Sequence, residues 1–535
     1  MIVAQSVGHN AGRWGCLSRP AAHAGVASQE SSIGRAHAVG MWLNTPAGGV
    51  TLLILATLVA RLIFADALGL GIDESYMVAA GRSFHLGYFD HPPVAWWMAS
   101  AAAHLAGTDS PIIVRLPFVL TFAVTTWLMF RLTSRLFNAC AGLWAAILLN
   151  AAPVFGVSAA SWVLPDGPLF AALLGAALCL VEALPARGRA AWGWWSATGI
   201  CAGVALLSKY SAVLTIAGAV VFLLTQPAER RWLTRPQPYV AGLLVLALFA
   251  PVLVWNADHG WVSFLFQSGR AAPSRLHVFG PLSTLGGEAV FLLPWIWVPL
   301  VLCAFAAFRR GPANGRSWLL VCLAAPPILL FLVVSLWSRV LFHWAAPGYL
   351  MLFPLLGDAV DRRWRSSPAT RAWLATTAVV VLVGVMLVAS EVRFNWLPST
   401  FENFALGADP DLAAVDWISL RTDLAARGLL GRPGLIVAAT RWLDAGKVDY
   451  ALEGRMTVIC LGDDPRQYGL TTRIGEYAGD DVLIVAPRVS FAEIGRQFGK
   501  MFDSLEELPP ETMLHAGRPA MLLPLYLGHR LHGVP

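Results

Sequence analysis

Two clusters of ionisable residues follow the first long apolar segment of this chain. Asp73 and Glu74 come directly after that segment, and Asp90 and His91 lie in a Tyr-Phe-Asp-His-Pro-Pro stretch about fifteen residues further on. Carboxylates at the end of a membrane helix need water or a substrate as a partner, because apolar packing cannot satisfy them. This placement predicts acid–base chemistry in a cavity at a membrane surface.

The composition indicates a polytopic α-helical membrane protein. Of 535 residues, 57% are hydrophobic and 13% are charged, whereas soluble proteins carry about 25% charged residues. The net charge of +6 is no sign of nucleic-acid binding, because most basic residues lie in short loops between apolar segments. The seven cysteines lie mostly in apolar segments without a CxxC motif, which favours packing roles over disulfides or zinc.

A transmembrane helix needs about 20 apolar residues. The apolar segments between Val50 and Ser390 predict about eleven to thirteen such helices. Basic residues in alternate loops set the orientation. One set holds fourteen: Arg131, Arg135, Arg187, Arg189, Arg230, Arg231, Arg235, Arg309, Arg310, Arg316, Arg362, Arg363, Arg365 and Arg371. The other holds five: Arg82, Lys209, Arg270, Arg275 and Arg339. The bias predicts a cytoplasmic N-terminus and, in a bacterium, a multi-pass inner-membrane protein whose first loop and C-terminal region are periplasmic.

Three regions are predicted. Residues 1–40 are polar and lack the apolar core of a signal peptide, so Met41 is interpreted as the true start, with a disordered cytoplasmic tail as the alternative. Residues 41–391 form the transmembrane domain. Its first loop, residues 71–111, is expected to hold two amphipathic helices in the membrane interface, at Ser75–Leu86 and Val94–Leu105.

Residues 392–535 are mixed in polarity and predict a small α/β domain outside the membrane. Strands are predicted at Leu435–Ala439, Met456–Leu461 and Asp481–Ala486, and helices at Thr440–Leu452 and Phe491–Phe498.

Acidic residues and histidines, unlike the arginines, concentrate at the helix ends and loops that are predicted to be external. The residues concerned are Asp73, Glu74, Asp90, Asp109, Asp166, Asp258, Glu288, His85, His91, His259, His277 and His343. This separation predicts a single chemically active face.

Seven ordered blocks between about residues 50 and 350 resemble one family. They are Asp73-Glu74-Ser75-Tyr76, the Gly87–Pro93 turn, Val114-Arg115-Leu116-Pro117, Leu164-Pro165-Asp166-Gly167-Pro168, Leu206-Leu207-Ser208-Lys209-Tyr210, the Pro251–Asn256 block and Ala345-Ala346-Pro347-Gly348-Tyr349. The chain resembles the GT-C superfamily of integral-membrane glycosyltransferases, in the branch of the lipid A aminoarabinose transferase and the protein O-mannosyltransferases. The C-terminal domain resembles it much less.

The resemblance implies an inverting glycosyltransferase. Its donor would be a sugar on a polyprenyl (undecaprenyl) phosphate, and its acceptor lipid A or lipopolysaccharide, another envelope glycan, or a protein. Asp73 matches the catalytic acid of the first loop and would remove the proton of an acceptor hydroxyl. The alternative is an acid that only caps its helix at the interface. With a phosphate acceptor it would orient the acceptor or bind a metal instead. Glu74 either assists or faces water, and Asp166 matches a second acid of the same cavity or caps its helix.

The remaining candidates would bind substrate. Lys209 matches the lysine that holds the lipid phosphate, although a lone cation at a membrane boundary could equally extend its side chain to the interface. Arg270 is expected to be the second phosphate ligand, because a guanidinium group binds phosphate oxygens in a fork. Tyr88, Asp90 and His91 lie in the turn before the proline pair and would contact the donor or the acceptor. The aminoarabinose transferases carry a lysine in place of His91. The alternative is that Asp90 and His91 pair with each other and brace the turn. Arg339 and His343 are expected at the rim.

No cofactor is implied with certainty, and a divalent metal is left open. Asp90, His259 and His277 are the candidate ligands, with Asp166 and His343 as further possibilities, but no metal-binding spacing such as HExxH occurs. Histidines exposed at the interface are the simpler interpretation.

Two other functions compete with this one. A transporter or flippase of lipid-linked sugars would also contain charges and a cavity, but it predicts charges at mid-span, where these segments are nearly uncharged. The second alternative is a structural or regulatory protein that kept the fold and lost catalysis. The presence of Asp73, Asp166 and Lys209 argues against it.

Overall fold

A computed structural model describes residues 45–273, 275–394, 417–487, 489–515 and 518–532. The predicted N-terminal extension, residues 1–40, and most of the junction that follows residue 391 lie outside this range. The described chain has a helical part followed by a smaller part built on one β-sheet.

The helical part contains sixteen described α-helices. They are α1 Pro46–Ala67, α2 Ile72–Ala80, α3 Val94–Ala106, α4 Pro111–Leu136, α5 Ala139–Ala151, α6 Asp166–Ala183, α7 Gly188–Ser208, α8 Ala212–Thr225, α9 Pro236–Asp258, α10 Val262–Ala271, α11 Gly280–Leu292, α12 Pro294–Arg310, α13 Gly315–Val334, α14 Ala346–Leu350, α15 Phe353–Trp364 and α16 Pro368–Phe394. The helix predicted at Val94–Leu105 is present as α3, whereas the helix predicted at Ser75–Leu86 is found three residues earlier and shorter, as α2.

Among the described residues, eight helices are long and apolar enough to cross a membrane: α1, α4, α6, α7, α9, α12, α13 and α16. Two apolar helices, α5 and α8, are shorter. The chain is therefore a multi-pass membrane protein, as predicted, with fewer full-length spans than the apolar segments suggest.

Two of the predicted apolar segments are each divided between two helices that have a proline in the first turn. The apolar segment 285–308 is divided between α11 and α12, because Leu293 adopts a φ of 68° and Pro294 starts a new helix without an amide proton to donate. The segment 341–356 forms no single span. It is split between α14 and α15, each of which has a proline in its first turn.

The C-terminal part contains α17 Ile418–Ala426, β1 Leu435–Ala439, α18 Trp442–Leu452, β2 Val458–Cys460, α19 Tyr468–Thr471, β3 Asp481–Val485, α20 Phe491–Phe498, β4 Phe502–His515 and β5 Arg518–Leu531. The strand order is β2-β1-β3-β5-β4, with parallel pairing around β1 and antiparallel pairing beyond β3. The predicted strands and helices are found here, and the long β4–β5 hairpin is an additional element.

The C-terminal domain packs directly on the first loop. Tyr76 of α2 contacts Trp442 edge to face at 4.9 Å between ring centroids, and the Lys447 ammonium donates a hydrogen bond to the Leu70 carbonyl at 2.6 Å. Arg82 pairs with Asp109 of the same loop and with Asp449 of α18, at 2.9 Å each. One apolar core therefore extends from α2 and α3 into the sheet.

Candidate active site

A cavity of about 330 Å³ lies where α2, the turn before α3, and the ends of several further helices meet the C-terminal domain. Its wall contains seven of the residues that the sequence predicts to act in the site: Asp73, Asp90, His91, Asp166, Lys209, Arg270 and His343. They come from six separate stretches of chain, which the fold brings to one place. Two residues of the C-terminal domain, Trp442 and Arg466, complete the wall.

Asp73 is the only one of the three cavity carboxylates without an ion-pair or hydrogen-bond partner within the described part of the chain. It is in the first turn of α2 and open to the cavity. Protein nevertheless surrounds the carboxyl group closely. This burial raises its pKa above the ordinary value, and the Asp90 carboxylate raises it further. Asp73 is thus free to accept a proton from a substrate.

Asp90 is held by the C-terminal domain. Arg466 donates a hydrogen bond from Nη1 to Asp90 Oδ2 at 2.9 Å, and the Arg466 guanidinium lies 3.6 Å from the centre of the Trp442 ring. Burial raises the pKa of Asp90, and the charge of Arg466 opposes that shift. The second oxygen, Oδ1, is buried without a partner among the described residues, so a ligand could occupy it.

Asp166 and Lys209 form the second ion pair of the cavity. Pro165 caps α6, so Asp166 is its first helical residue, and Lys209 lies at the extended break between α7 and α8. The ammonium donates to both carboxylate oxygens at 2.9 Å, and both residues are buried. Lys209 is therefore turned into the cavity instead of extending towards the interface.

Arg270 is the cavity cation that has no carboxylate partner among the described residues. Its guanidinium lies over the Trp344 ring at 4.4 Å and the Phe266 ring at 5.4 Å, contacts that orient it while leaving its N–H edge available. Burial is the largest cause of its lowered pKa, followed by the charge of Arg466.

The two cavity histidines are neutral near pH 7. Burial lowers the pKa of His91 well below its ordinary value, and the charge of Lys209 lowers it further. The same two causes lower the pKa of His343 to about 4. His91 Nδ1 is buried without a partner in the described structure. His91 thus supplies no cation where the aminoarabinose transferases carry lysine.

The turn that carries Asp90 and His91 is fixed by α9 and α10. Gly87 lies against Trp255 so closely that a Cβ atom there would be 2.8 Å from the indole ring. The Ser263 hydroxyl donates to the Tyr88 carbonyl at 2.9 Å, and the Asn256 side chain accepts from the Ser263 amide at 3.1 Å. The block that ends at Asn256 thus supports the turn.

Glu74 lies outside the cavity wall. Its carboxylate accepts hydrogen bonds from Arg115 at 2.8 and 2.5 Å, from the Gly71 amide at 2.8 Å and from the Val163 amide at 3.0 Å. All its oxygens are occupied and the residue is buried. We propose a bracing role for Glu74 in place of the predicted catalytic one.

Four other predicted residues lie away from the cavity wall. Tyr88 is fully buried and stacks on Trp96. Arg339 is exposed. His259 stacks on Trp255 and His277 is exposed, so neither comes together with Asp90. Within the described ranges, no group of three or more histidine, cysteine or acidic residues could hold a metal.

Arg466 and Trp442 were missed by sequence reasoning. They follow β2 and β1, at the carboxyl ends of two parallel strands, which is where open α/β sheets bind ligands. That rule could have pointed to these two residues as ligand-binding candidates. Nothing local shows that this edge of the sheet faces α2.

The geometry can be compared with known proteins. Residues 90–255 match the family model of the dolichyl-phosphate-mannose-protein mannosyltransferases. The curated lipid A galacturonosyltransferase RgtD of Rhizobium johnstonii is 24% identical over 310 residues, which cover 57% of this chain. The match spans 64% of that relative's own length.

Two solved structures have a similar fold. ArnT from Cupriavidus metallidurans bound to undecaprenyl phosphate superposes with a TM-score of 0.63 at 17% identity, covering 90% of this chain and 98% of ArnT. Its apo state gives a TM-score of 0.61 at 16% identity over the same shares of the two chains. The family model, the curated relative and the shared fold all support the resemblance of the seven sequence blocks to the GT-C superfamily of integral-membrane glycosyltransferases.

Proposed function

We propose that this protein is an inverting glycosyltransferase that moves a sugar from a polyprenyl phosphate to an acceptor hydroxyl group, with lipid A as the acceptor. The names of two relatives support the substrates: one transfers galacturonosyl groups to lipid A, and the other is bound to undecaprenyl phosphate. The comparisons give no support to the transporter alternative.

One observation carries the proposal. The cavity holds three carboxylates and three cations, and two of each are paired as Asp90–Arg466 and Asp166–Lys209. Asp73 and Arg270 are left as one acid and one cation without ion-pair partners in the described chain. An inverting transfer from a phosphate donor needs these two groups, a base for the acceptor and a positive charge for the leaving phosphate.

The reaction then follows from the positions of the groups. Asp73 takes the proton of the acceptor hydroxyl as its oxygen forms a bond to the anomeric carbon. The bond from that carbon to the phosphate oxygen breaks, and the electron pair leaves with the polyprenyl phosphate. Arg270 and Lys209 stabilise the phosphate charge, and no general acid is needed because the leaving phosphate is a weak base.

The location follows the charge bias of the helix ends. Arg135, Arg310, Arg316, Arg362 and Arg363 lie at the end of the bundle opposite the cavity. Since basic residues mark the cytoplasmic side, we place the cavity and the C-terminal domain in the periplasm of a bacterial inner membrane.

The test is genetic and chemical. A strain lacking this protein is complemented with the wild type, with Asp73→Asn, or with Asp258→Asn, an exposed acid outside the cavity wall. Mass spectrometry of lipid A, other glycans and polyprenyl-phosphate sugars is expected to show transfer restored by the wild type and Asp258→Asn. Asp73→Asn should be reduced about a hundredfold or more.

A stable Asp73→Asn protein with full activity would remove Asp73 from the role of base. A mass change on a protein or another glycan, with lipid A unaltered, would replace the proposed acceptor.

A further inference from the structure

A second cavity, of about 370 Å³, lies at the opposite end of the bundle from the candidate active site. It is lined by α12, α13, α15 and α16, and its polar wall comes from Arg310, Arg362, Arg363, Asp358, Ser317 and Thr370. Its volume falls within the range of about 300–1,000 Å³ that is typical of small-molecule sites. The proposed reaction uses none of these residues.

The chain path separates the two cavities. Residue Asp166 starts α6 in the candidate active site, and α6 continues for 18 residues, or about 27 Å, towards the other end. Asn138, just after α4, donates a hydrogen bond to Asp361 of α15 at 2.9 Å, which fixes the second cavity at that far end. It therefore faces the other leaflet.

The second cavity carries an excess of positive charge. Asp358 is its one acidic wall residue and pairs with Arg362. Arg310 and Arg363 have no carboxylate within ion-pair distance in the described chain, so two positive charges remain uncompensated. Guanidinium groups prefer phosphate oxygens, which they bind through paired N–H donors.

The rest of the wall is apolar, and α12 and α16, which contribute to it, are long and apolar enough to cross a membrane. Pro299 and Leu302 of α12, Leu355 of α15 and Trp373 of α16 line the cavity above the arginines. A phosphate bound by the arginines would therefore lie next to apolar surface that suits acyl chains. This combination distinguishes a lipid from a soluble phosphate.

We propose that this second cavity binds the phosphate headgroup of an anionic phospholipid, with its acyl chains along α12 and α16. Basic pockets between transmembrane helices are known to hold such headgroups. The site is independent of the proposed transfer reaction, and it would tie the stability of the helix bundle to the lipid composition of that leaflet.

The experiment uses the purified full chain, delipidated in detergent. We measure its melting temperature, and its retained lipid by native mass spectrometry, after adding phosphatidylglycerol, phosphatidylcholine or inorganic phosphate. Phosphatidylglycerol alone is expected to raise the melting temperature of the wild type. Each of Arg310→Gln and Arg363→Gln should weaken phosphatidylglycerol retention about fivefold, and Arg131→Gln, an exposed arginine outside the cavity wall, should not.

Several results would overturn the proposal. An equal loss of retention in Arg131→Gln would indicate non-specific attraction to basic helix ends. An equal stabilisation by inorganic phosphate would indicate a soluble ligand. If either cavity variant fails to fold, the three additions to the wild type still decide, because equal responses to phosphatidylglycerol and phosphatidylcholine contradict the assignment.

Discussion

At the residue scale, the charged groups of the cavity differ in whether they have an ion-pair partner. Asp90 and Asp166 are each held by a cation, whereas Asp73 is in the same cavity without one among the described residues. Burial, and then the Asp90 carboxylate, raise the pKa of Asp73. A carboxylate with a raised pKa is a stronger base than an ordinary aspartate, so this environment favours proton removal by Asp73.

The raised pKa predicts a pH dependence. Activity that needs ionised Asp73 is lost as pH falls through its raised pKa, at a higher pH than for an ordinary aspartate. The stability effect has the opposite sign: ionising Asp73 costs the folded state free energy above that pKa, and the cost disappears in acid. Asp90→Asn removes one cause of the shift, so the acid limb of the kcat/KM profile should move to lower pH.

Asp258→Asn is the matched control, because Asp258 is exposed and outside the cavity wall, and its acid limb should match that of the wild type. An acid limb that stays in place or moves to higher pH in Asp90→Asn would contradict the coupling between the two carboxylates.

At the element scale, the site depends on how closely α18 approaches α2. Gly446 of α18 packs against Tyr76 of α2, where a Cβ atom would be 2.7 Å from the Tyr76 Cα atom. Asp73 lies one turn before Tyr76 on α2, and Trp442 lies one turn before Gly446 on α18. A shift between the two helices would therefore separate opposite walls of the cavity.

Gly446→Ala tests this contact. The added methyl group meets backbone atoms that cannot move aside easily, so we expect a loss of about 1–3 kcal/mol of stability, measured as a lower melting temperature, together with reduced transfer activity. Gly475→Ala is the control, because no atom lies within 4 Å of a Cβ at that position. If the two variants behave alike, close packing at Gly446 is not required.

At the scale of the whole molecule, two domains build one site. The ion pair between Asp90 and Arg466 joins residues 376 positions apart in the chain. Gln467, the next residue, accepts a hydrogen bond from the Phe89 amide at 3.0 Å, so the same loop also holds the backbone of the turn. The C-terminal domain thus forms part of the cavity wall and orders the first loop.

Arg466→Gln is expected to lower transfer activity about a hundredfold, because Asp90 loses its partner and the turn that carries His91 shifts. Enzyme assays with purified protein, alongside Arg496→Gln, would measure this. Arg496 is exposed in the same domain and outside the cavity wall, so its removal should leave activity unchanged. Wild-type activity in a folded Arg466→Gln protein would mean that the C-terminal domain does not support the reaction.

The amino-acid sequence by itself determined the membrane class, the α/β character of the C-terminal domain and seven residues of the cavity wall. The membrane class and the α/β character follow from hydropathy and periodicity, and the seven residues were expected from local motifs and from the family resemblance that these motifs carry. All of these act over short distances along the chain. Apolar content overcounted the full-length spans. Two apolar segments form only the shorter helices α5 and α8, and the segment 341–356 is split, because Pro347 and Pro354 lie in the first turns of α14 and α15.

Only the tertiary structure decided which charged side chains pair with each other. Neighbouring acids in sequence, Asp73 and Glu74, point in different directions on α2, so one reaches the cavity and the other pairs with Arg115. Arg466 reaches Asp90 only because the sheet docks on α2 by its carboxyl edge. Long-range packing sets which charges meet, and no local pattern encodes it.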